Sequence, residues 1–231
     1  MTIGYDNWRP NQELVLDLQF REYTGTVTRD WAKPYHDPVT LVNGPTWSLL
    51  GNDLSYLSLD CTAPYEHLII ALGAPSSDLD FTTGDFSGAA WFYPTSHGER
   101  YIFNHGAAAT GWSFGIRAGT WEMMLYTRQA GPTIQTTYSV PVTSSVWQFV
   151  GFNRDGANVR MFVDGVDKTT TQGVHVDPAT AAAQNFYIGC GDLVADSWLC
   201  GSLWRPRVWK RKVEAWEMLA IHEAERDLFG V

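Results

Sequence analysis

The sequence predicts an all-β fold, in which two antiparallel sheets form a jelly-roll sandwich that is followed by a C-terminal α-helix. Runs of β-prone residues alternate with Gly, Pro, Asn and Asp throughout residues 13–209, as in sandwich proteins. Residues 147–171 contain two Asp-Gly turns between short strands, and only residues 212–229 have a helical period. One domain suffices for 231 residues, so we assign residues 13–231 to it and residues 1–12 to an N-terminal arm.

Residues 147–171 (WQFVGFNRDGANVRMFVDGVDKTTT) predict a three-stranded antiparallel meander. Its turns are Asp155-Gly156 and Asp164-Gly165. These pairs suit type I′ hairpins, because both central residues of that turn must adopt a positive φ. The middle strand alternates between apolar and other residues, so we expect it to be half buried.

Two further segments predict strands in different positions. Residues 86–94 (FSGAAWFYP) are apolar on both faces, so we expect a central strand that is covered on both sides. Residues 133–142 show polar alternation and contain a proline, which is typical of an edge strand or a strand beside a loop. Trp91 and Trp147 should therefore be buried, at a cost of about 3 to 5 kcal/mol if either is truncated to alanine.

Residues 212–229 predict one long C-terminal helix, with Gly230 at its C-terminal cap. The residues expected on its apolar stripe are Val213, Trp216, Leu219, Ala220, Ala224 and Leu228. We expect this stripe to dock on the sandwich or on a neighbouring subunit. The acidic residues of the helix, Glu214, Glu217, Glu223, Glu225 and Asp227, are expected to form a solvated face.

The meander resembles the signature of laminin-G-like jelly-roll domains of the concanavalin-A-like lectin superfamily, in which a Trp-led strand and a D-G turn precede an aliphatic strand ending in V-D-G. Similar matches run from about residue 14 to about residue 225. They include LVLDLQF at 14–20, Thr24-Gly25-Thr26 with Asp30, LVNGPTW at 41–47, residues 86–94, FYIGCG at 186–191, and residues 201–203 and 207–209. The resemblance implies the fold, but a fold does not determine function.

The charge distribution argues against a nucleic-acid partner. The net charge is −9, and the largest basic run is Lys210-Arg211-Lys212, near Arg205 and Arg207. We expect this run to be a solvated junction between strand and helix, with contact to an acidic partner as the alternative. No apolar run is long enough to span a bilayer, so no membrane partner is expected.

The three cysteines, Cys61, Cys190 and Cys200, show no C-x-x-C spacing and predict no zinc site. We expect three buried thiols, which fits synthesis in a reducing cytosol. A bridge between Cys190 and Cys200 is the alternative.

Catalytic patterns are missing from the sequence, and we expect no enzymatic activity and no catalytic residue. The glucanases that the chain resembles carry E-x-D-x-x-E on one strand, and that spacing does not occur here. The six histidines show no zinc-site spacing. Gly111–Gly115 (GWSFG) spells the G-x-S-x-G of serine hydrolases, but β sequence lies on both sides and no helix follows.

The resemblance implies a rim calcium site, since similar domains often hold Ca²⁺ with Asp, Asn and carbonyl ligands. Asp60, Asp192 and Asp196 are the weak candidates, and structural roles in turns are the alternative for all three. Sugar binding needs aromatic platforms beside hydroxyl and amide groups. Residues 93–101 and Trp112 offer both in the sequence.

The favoured function is a non-catalytic virion structural protein, either a capsid decoration protein or a surface protein. Freestanding domains resembling this one occur among structural proteins of tailed phages and related viruses, and the N-terminus lacks the features of a signal peptide. The expected partners are capsid or other virion proteins, further copies of the chain, and cell-surface glycans. The alternative is a carbohydrate-binding lectin or adhesin outside the cell, and a glycosidase with a degenerate site is a third interpretation. The expected location is the virion surface or, for the lectin, the extracellular space.

Overall fold

A computed structural model of the protein describes residues 9–98, 100–107, 109–129, 134–191 and 197–231. Within these ranges, seventeen strands form two antiparallel sheets around one main apolar core. The strands are β1 (Leu14–Asp17), β2 (Val27–Thr28), β3 (Val39–Val42), β4 (Thr46–Leu49), β5 (Ser55–Leu59), β6 (His67–Ile70), β7 (Phe86–Pro94), β8 (Arg100–His105), β9 (Trp112–Ile116), β10 (Glu122–Arg128), β11 (Ile134–Pro141), β12 (Gln148–Asp155), β13 (Asn158–Val163), β14 (Val166–Asp167), β15 (Thr169–Thr171), β16 (Phe186–Ile188) and β17 (Gly201–Trp209). The helices are α1 (Ala74–Ser77) and α2 (Ala215–Glu225), and 3₁₀ turns occur at Arg9–Asn11, Pro34–His36 and Arg226–Leu228.

The order of strands in each sheet confirms the predicted sandwich. The first sheet runs β14-β13-β12-β7-β17-β5-β4, with β1 also paired to β17. The second runs β15-β11-β10-β9-β8-β16-β6-β3-β2. Strands that are far apart in sequence, such as β7 and β17, are hydrogen-bonded neighbours, which is typical of Greek-key connections in jelly rolls.

Strand β7 is central, as predicted. It lies between β12 and β17, where Trp91 is paired with Phe149 on one side and Trp204 on the other. Trp91 is fully buried and Trp147 is buried, so the predicted core positions of both are confirmed. Strand β11 is not the edge of its sheet, because the three-residue strand β15 pairs with it. It does lie beside a loop, which follows at residues 142–147, as the alternative expectation had it.

The predicted meander is confirmed as β12, β13 and β14, but its two turns differ. Asp164 and Gly165 both adopt positive φ, at 52° and 74°, as a type I′ turn requires. At the first turn, Asp155 pairs with Asn158, so the central residues are Gly156 and Ala157. Of these two only Gly156 has a positive φ, which is the type II′ pattern.

The C-terminal helix is shorter than predicted, and the predicted stripe is wrong except at Val213, which is buried but precedes α2. The buried face of α2 consists of Glu217, Met218, Ile221, His222 and Glu225. Trp216 is 52% exposed and Leu219 is 41% exposed. Gly230 adopts the left-handed φ of 70° expected of a C-terminal cap, but it follows the 3₁₀ turn and not α2 itself.

Ion pairs explain why acidic residues occupy the docking face of α2. Glu225 accepts hydrogen bonds from Arg205 at 2.7 Å, from Arg207 at 2.9 and 2.8 Å, and from the indole nitrogen of Trp91 at 2.9 Å. Glu217 is likewise buried and accepts two 2.8 Å bonds from Arg211. The predicted solvated acidic face and solvated basic junction are therefore wrong at these residues, which hold the helix on the first sheet.

The cysteine prediction is also wrong. Cys61 and Cys200 form a disulfide with Cα atoms 4.9 Å apart, and Cys190 is buried outside it. The pairing follows from the sheet, because Cys61 closely follows β5, Cys200 precedes β17, and Leu59 of β5 lies opposite Gly201 of β17.

Residues 10–12 lie against the closing strand of the first sheet. The indole nitrogen of Trp209 donates to the carbonyl of Pro10 at 2.5 Å, and Arg211 donates to the carbonyl of Gln12 at 2.9 Å. Residues 1–8 of the predicted arm lie outside the described residues, so its boundary at residue 12 stays a prediction. Neither described helix is long and apolar enough to cross a membrane.

Candidate functional site

The candidate site is built by the loop that joins β1 to β3 and contains β2. Asp30 anchors this loop. Its Oδ1 accepts hydrogen bonds from the backbone amides of Asp17 at 2.9 Å and Ala32 at 2.8 Å, and its own amide donates to Asp37 at 2.7 Å. Because these contacts flank Trp31 on both sides, they fix where that side chain leaves the loop.

A buried contact between Asp30 and His36 completes the anchor. Oδ2 of Asp30 lies 2.5 Å from Nδ1 of His36, and both side chains are fully buried. Burial raises the pKa of the Asp30 carboxyl, and the hydrogen bond from His36 acts in the opposite direction. The pair ties the 3₁₀ turn Pro34–His36 to the strand that precedes the loop.

Trp31 is 40% exposed and lies between two arginines. The guanidinium carbon of Arg21 is 5.3 Å from the centre of its ring, and that of Arg29 is 5.9 Å from it. Both distances are within the range of cation–π contact. The three side chains line one wall of a groove of about 440 Å³, together with Glu22, Val27, Thr28, Asp37 and Pro38.

The two carboxylates of this groove are occupied by the loop itself. Glu22 accepts hydrogen bonds from the hydroxyl of Thr28 at 2.8 Å and from the amide of Arg29 at 3.0 Å. Asp37 accepts the amide of Asp30, and its second oxygen lies 3.5 Å from Nε of Arg29. Both acidic groups therefore act as supports for the loop.

A second cleft of about 710 Å³ adjoins the groove, and Arg21 lines both. Its other lining residues come from the same loop, from the β4–β5 region, from β17 and from the C-terminal helix; they are Gln19, Phe20, Tyr23, Leu54, Ser55, Trp204, Arg205, Ala224, Glu225 and Leu228. Tyr23 is 53% exposed at this cleft. The groove and the cleft thus present two exposed aromatic rings on either side of one arginine.

This arrangement is suited to binding. Exposed aromatic rings beside hydrogen-bonding groups are typical of sites for small polar ligands. Glu225, the acidic residue of the second cleft, is neutralised by Arg205 and Arg207. Glu22 and Asp37 already accept backbone hydrogen bonds.

Of the three residues predicted to bind calcium, only Asp60 lies among the described residues. Asp60 is exposed, accepts the amide of Thr62 at 2.8 Å and donates its own amide to Glu66 at 2.7 Å, which is a turn geometry. Asp192 and Asp196 lie outside the described residues. Among the residues that the structure does describe, no three His, Cys, Asp or Glu side chains form a metal-binding group.

Of the residues that we expected to bind sugar, Trp112 and Tyr101 are part of the core, whereas Thr95 and His97, in the loop between β7 and β8, are exposed. Trp112 is fully buried and Tyr101 is 5% exposed, because both belong to inner strands of the second sheet. The G-x-S-x-G sequence at residues 111–115 is also structural. Ser113 is buried in β9 and bonds to Asn104 and Arg128, and a Cβ at Gly115 would lie 1.9 Å from the carbonyl oxygen of Arg100.

Sequence reasoning missed the Trp31 groove, although it singled out Asp30. The available signal was local: residues 21–31 (REYTGTVTRDW) place two arginines, a tyrosine and a tryptophan in a segment with almost no strand pattern. Aromatic residues in a loop have fewer ways to be buried than those in a strand.

Residues 71–218 match the laminin-G-type family model of the concanavalin A-like lectin/glucanases superfamily. The chain belongs to this superfamily. The match covers well over half of the sequence and confirms the resemblance seen in its strands. The loop that carries Trp31 precedes the matched residues, so the groove is not described by the family match.

Solved structures with the same fold include receptor-binding and ligand-binding domains of bacterial toxins. The binding domain of Paraclostridial Mosquitocidal Protein 1 has a TM-score of 0.70 and 12% identity, over 96% of this chain and 56% of that one. The ligand-binding domain of botulinum neurotoxin serotype D, solved with N-acetylneuraminic acid, has a TM-score of 0.67 and 12% identity, over 93% and 52%. The binding domain of botulinum neurotoxin DC, solved with rat synaptotagmin II, has a TM-score of 0.66 and 12% identity, over 93% and 52%.

The chain spans only about half the length of these domains. At this level of identity the likeness shows a shared fold. No curated protein matches the sequence.

Proposed function

We propose that the protein is a non-catalytic glycan-binding module whose ligand site is the Trp31 groove. The observation that carries this proposal is the exposed indole of Trp31, held in place by the Asp30 anchor and flanked by Arg21 and Arg29. An aromatic face packs against the C–H face of a sugar ring, and the neighbouring donors bind its hydroxyl groups. The loop is fixed by buried hydrogen bonds, so little ordering is needed on binding.

The fold supports this proposal. Members of the superfamily include lectins by its description, and the serotype D toxin domain was solved with N-acetylneuraminic acid. Since the chain spans about half of that domain, the sugar of the toxin domain serves as a guide to ligand class and not to position.

We also propose that the protein does not catalyse glycoside hydrolysis. Glycoside hydrolysis needs two carboxyl groups that exchange protons with substrate and water. At both clefts the acidic side chains are instead engaged: Glu22 and Asp37 by backbone amides, and Glu225 by two arginines. We therefore expect no turnover of polysaccharides.

The test is a glycan array followed by calorimetric titration with the best ligand. Wild-type protein should bind at least one glycan class, and Trp31→Ala should weaken that binding by tenfold or more, a loss of about 1.4 kcal/mol. Trp216→Ala is the matched control, because it removes another half-exposed tryptophan that lines neither cleft and should leave glycan binding unchanged. Thermal unfolding checks that both variants fold.

Two outcomes would overturn the proposal. One is a wild-type protein that binds no glycan on the array. The other is glycan binding that survives Trp31→Ala and is lost in Trp216→Ala, which would move the site to the helix.

A second candidate function is the virion structural role expected from the sequence. The observation that favours it is the apolar surface of α2, where Trp216 and Leu219 are about half exposed beside the turn at Gly165. Val166, at the end of that turn, is 47% exposed. We propose that this surface contacts capsid or other virion proteins, or another copy of the chain on the particle. The corresponding location is the virion surface, and for the glycan-binding role it is the extracellular space.

Co-sedimentation with purified particles from the source tests the second function. Wild-type protein should pellet with particles at a fixed ratio, and the double variant Trp216→Ala, Leu219→Ala should not. Trp31→Ala serves as the control and should pellet like wild type. A wild-type protein that stays in the supernatant at all particle concentrations would exclude the role.

A further inference from the structure

We propose that the ligand is an acidic oligosaccharide whose carboxylate binds Arg21, at the junction of the groove and the second cleft. This inference rests on the proposed glycan-binding function and specifies its ligand class. It is carried by the charge state and hydrogen-bonding capacity of the side chains around Arg21.

Arg21 is an exposed cation with no carboxylate partner among the residues that the structure describes. Its guanidinium carbon lies 5.3 Å from the centre of the Trp31 ring. Other arginines near the two clefts have anionic partners: Arg29 lies near Asp37, and Arg205 binds Asp17 and Glu225. The charge of Arg21 is therefore available to a ligand.

The groove offers two guanidiniums, and its two carboxylates are engaged by the loop. The oxygens of Glu22 accept a hydroxyl and a backbone amide, and Asp37 accepts a backbone amide. Arg29 adds a second guanidinium at 5.9 Å from the same indole ring. A ligand that brings an anionic acceptor fits this set better than one that brings only hydroxyl groups.

Guanidinium geometry favours a carboxylate. Arginine presents its N–H groups in a planar fork that binds both oxygens of a carboxylate at once. A guanidinium that rests on an aromatic ring keeps this fork available at its edge, since the ring contacts only its face. Trp31 would then contact the sugar ring while Arg21 binds its acid group.

The second cleft provides space for a neighbouring sugar. Tyr23 is exposed on the far side of Arg21. The cleft has a volume of about 710 Å³ and shares Arg21 with the groove. A ligand whose acid group binds Arg21 can therefore extend a second sugar toward the ring of Tyr23.

The experiment compares acidic trisaccharides with their own neutral analogues. The probes are trisaccharides ending in N-acetylneuraminic acid or in a hexuronic acid, each paired with the same molecule after reduction of its carboxyl group to an alcohol. Binding is measured by calorimetry on the full chain at low and at moderate salt. Wild-type protein should prefer the acid over the alcohol by tenfold or more, and the preference should shrink as salt screens the charge.

Arg21→Gln should abolish this preference, so that the variant binds the acid no more tightly than its neutral analogue. Arg160→Gln is the matched control, because Arg160 is a half-exposed arginine on β13 that lines neither cleft. It should keep the full preference. Tyr23→Ala should weaken the binding of the trisaccharides more than the binding of the free acidic monosaccharide.

Different results would contradict the acidic-ligand inference and the proposed glycan-binding function. If wild type binds an acid and its alcohol equally, or if Arg21→Gln keeps the preference, the acidic-ligand inference is wrong and the glycan-binding function stands. If neither acids nor alcohols bind, and the glycan array is also negative, the proposed function is wrong.

Discussion

Asp30 shows how one buried side chain fixes a loop that has almost no regular structure. The backbone amides of Asp17 and Ala32 donate to one of its oxygens, and His36 occupies the other. Charge-assisted hydrogen bonds of this kind are stronger than neutral ones, and each is shielded from water here. Trp31 can therefore remain half exposed without the loop around it becoming free to move.

His175 is a second residue whose burial has a measurable consequence. Its two ring nitrogens lie 2.8 Å from the hydroxyls of Thr127 and Thr137, and the side chain is buried between the strands β10 and β11. Burial, together with the charge of Arg154, lowers its pKa from 6.5 to about 4. The folded protein thus holds this histidine neutral.

The stability of the protein should fall as the pH falls from 6.5 to 4. The pKa of His175 is lower in the folded protein than in the unfolded chain. Its contribution to the free energy of unfolding is therefore complete above the unfolded-state pKa and is lost as the pH falls toward the folded-state pKa, a loss on the order of 3 kcal/mol. His175→Gln should lower stability at neutral pH but reduce the loss on acidification, as measured by urea unfolding at pH 7 and pH 4.5. Burial also lowers the pKa values of His67 and His105, so part of the loss should remain.

His97→Gln is the control for the pH experiment. His97 is exposed, so its replacement removes no buried side chain and should leave the unfolding free energy at pH 7 as in wild type. An unchanged pH dependence in His175→Gln would contradict the assignment of a neutral, buried histidine.

At the scale of elements, the strands could be predicted from local sequence patterns, whereas the buried face of the C-terminal helix could not. Strand β7 and the meander β12–β14 could be predicted because alternation, turn pairs and apolar runs are local signals. The docking face of α2 depends on arginines of β17, which are distant in sequence. Hydrophobic periodicity alone placed Trp216 inside and Glu225 outside, and the structure reverses both.

The β-bulge in β17 explains where those arginines point. The pairing of β17 with β7 shifts register between Trp204 and Arg207, and Arg205 adopts a φ of 50° within the shift. Bulges commonly redirect side chains at the edge of a regular ladder. Here Arg205 reaches Asp17 of β1 and Glu225 of α2 together, which joins the first strand, the last strand and the helix.

The candidate site could be predicted only in part for a related reason. Asp30 was recognisable within its segment, but the exposure of Trp31 depends on how the loop packs against β1 and β3. With 11 tryptophans in the chain, composition does not tell an exposed ring from a buried one. Trp112 is as well placed as Trp31 in the sequence, between glycine and serine, and is fully buried.

At the scale of the whole molecule, the disulfide joins the two halves of the chain. Cys61 and Cys200 are separated by 139 residues and connect the start of the sandwich to its closing strand. Sequence spacing could not predict this pair, because it depends on the hydrogen bonding of β5 with β17. In the chain-entropy view, closing so long a loop limits the unfolded ensemble and stabilises the fold by up to about 5 kcal/mol.

The replacement of both half-cystines, Cys61→Ala and Cys200→Ala, should therefore lower the unfolding free energy by about 2 to 5 kcal/mol in urea titrations. Reductant should lower the stability of wild type toward that of the double variant and leave the double variant unchanged. Cys190→Ala is the control: it keeps the disulfide, so it should remain sensitive to reductant. Thiol titration of the unfolded, unreduced chain should give one thiol for wild type and none for Cys190→Ala. Three thiols in wild type, from protein made under oxidising conditions, would contradict the Cys61–Cys200 pairing.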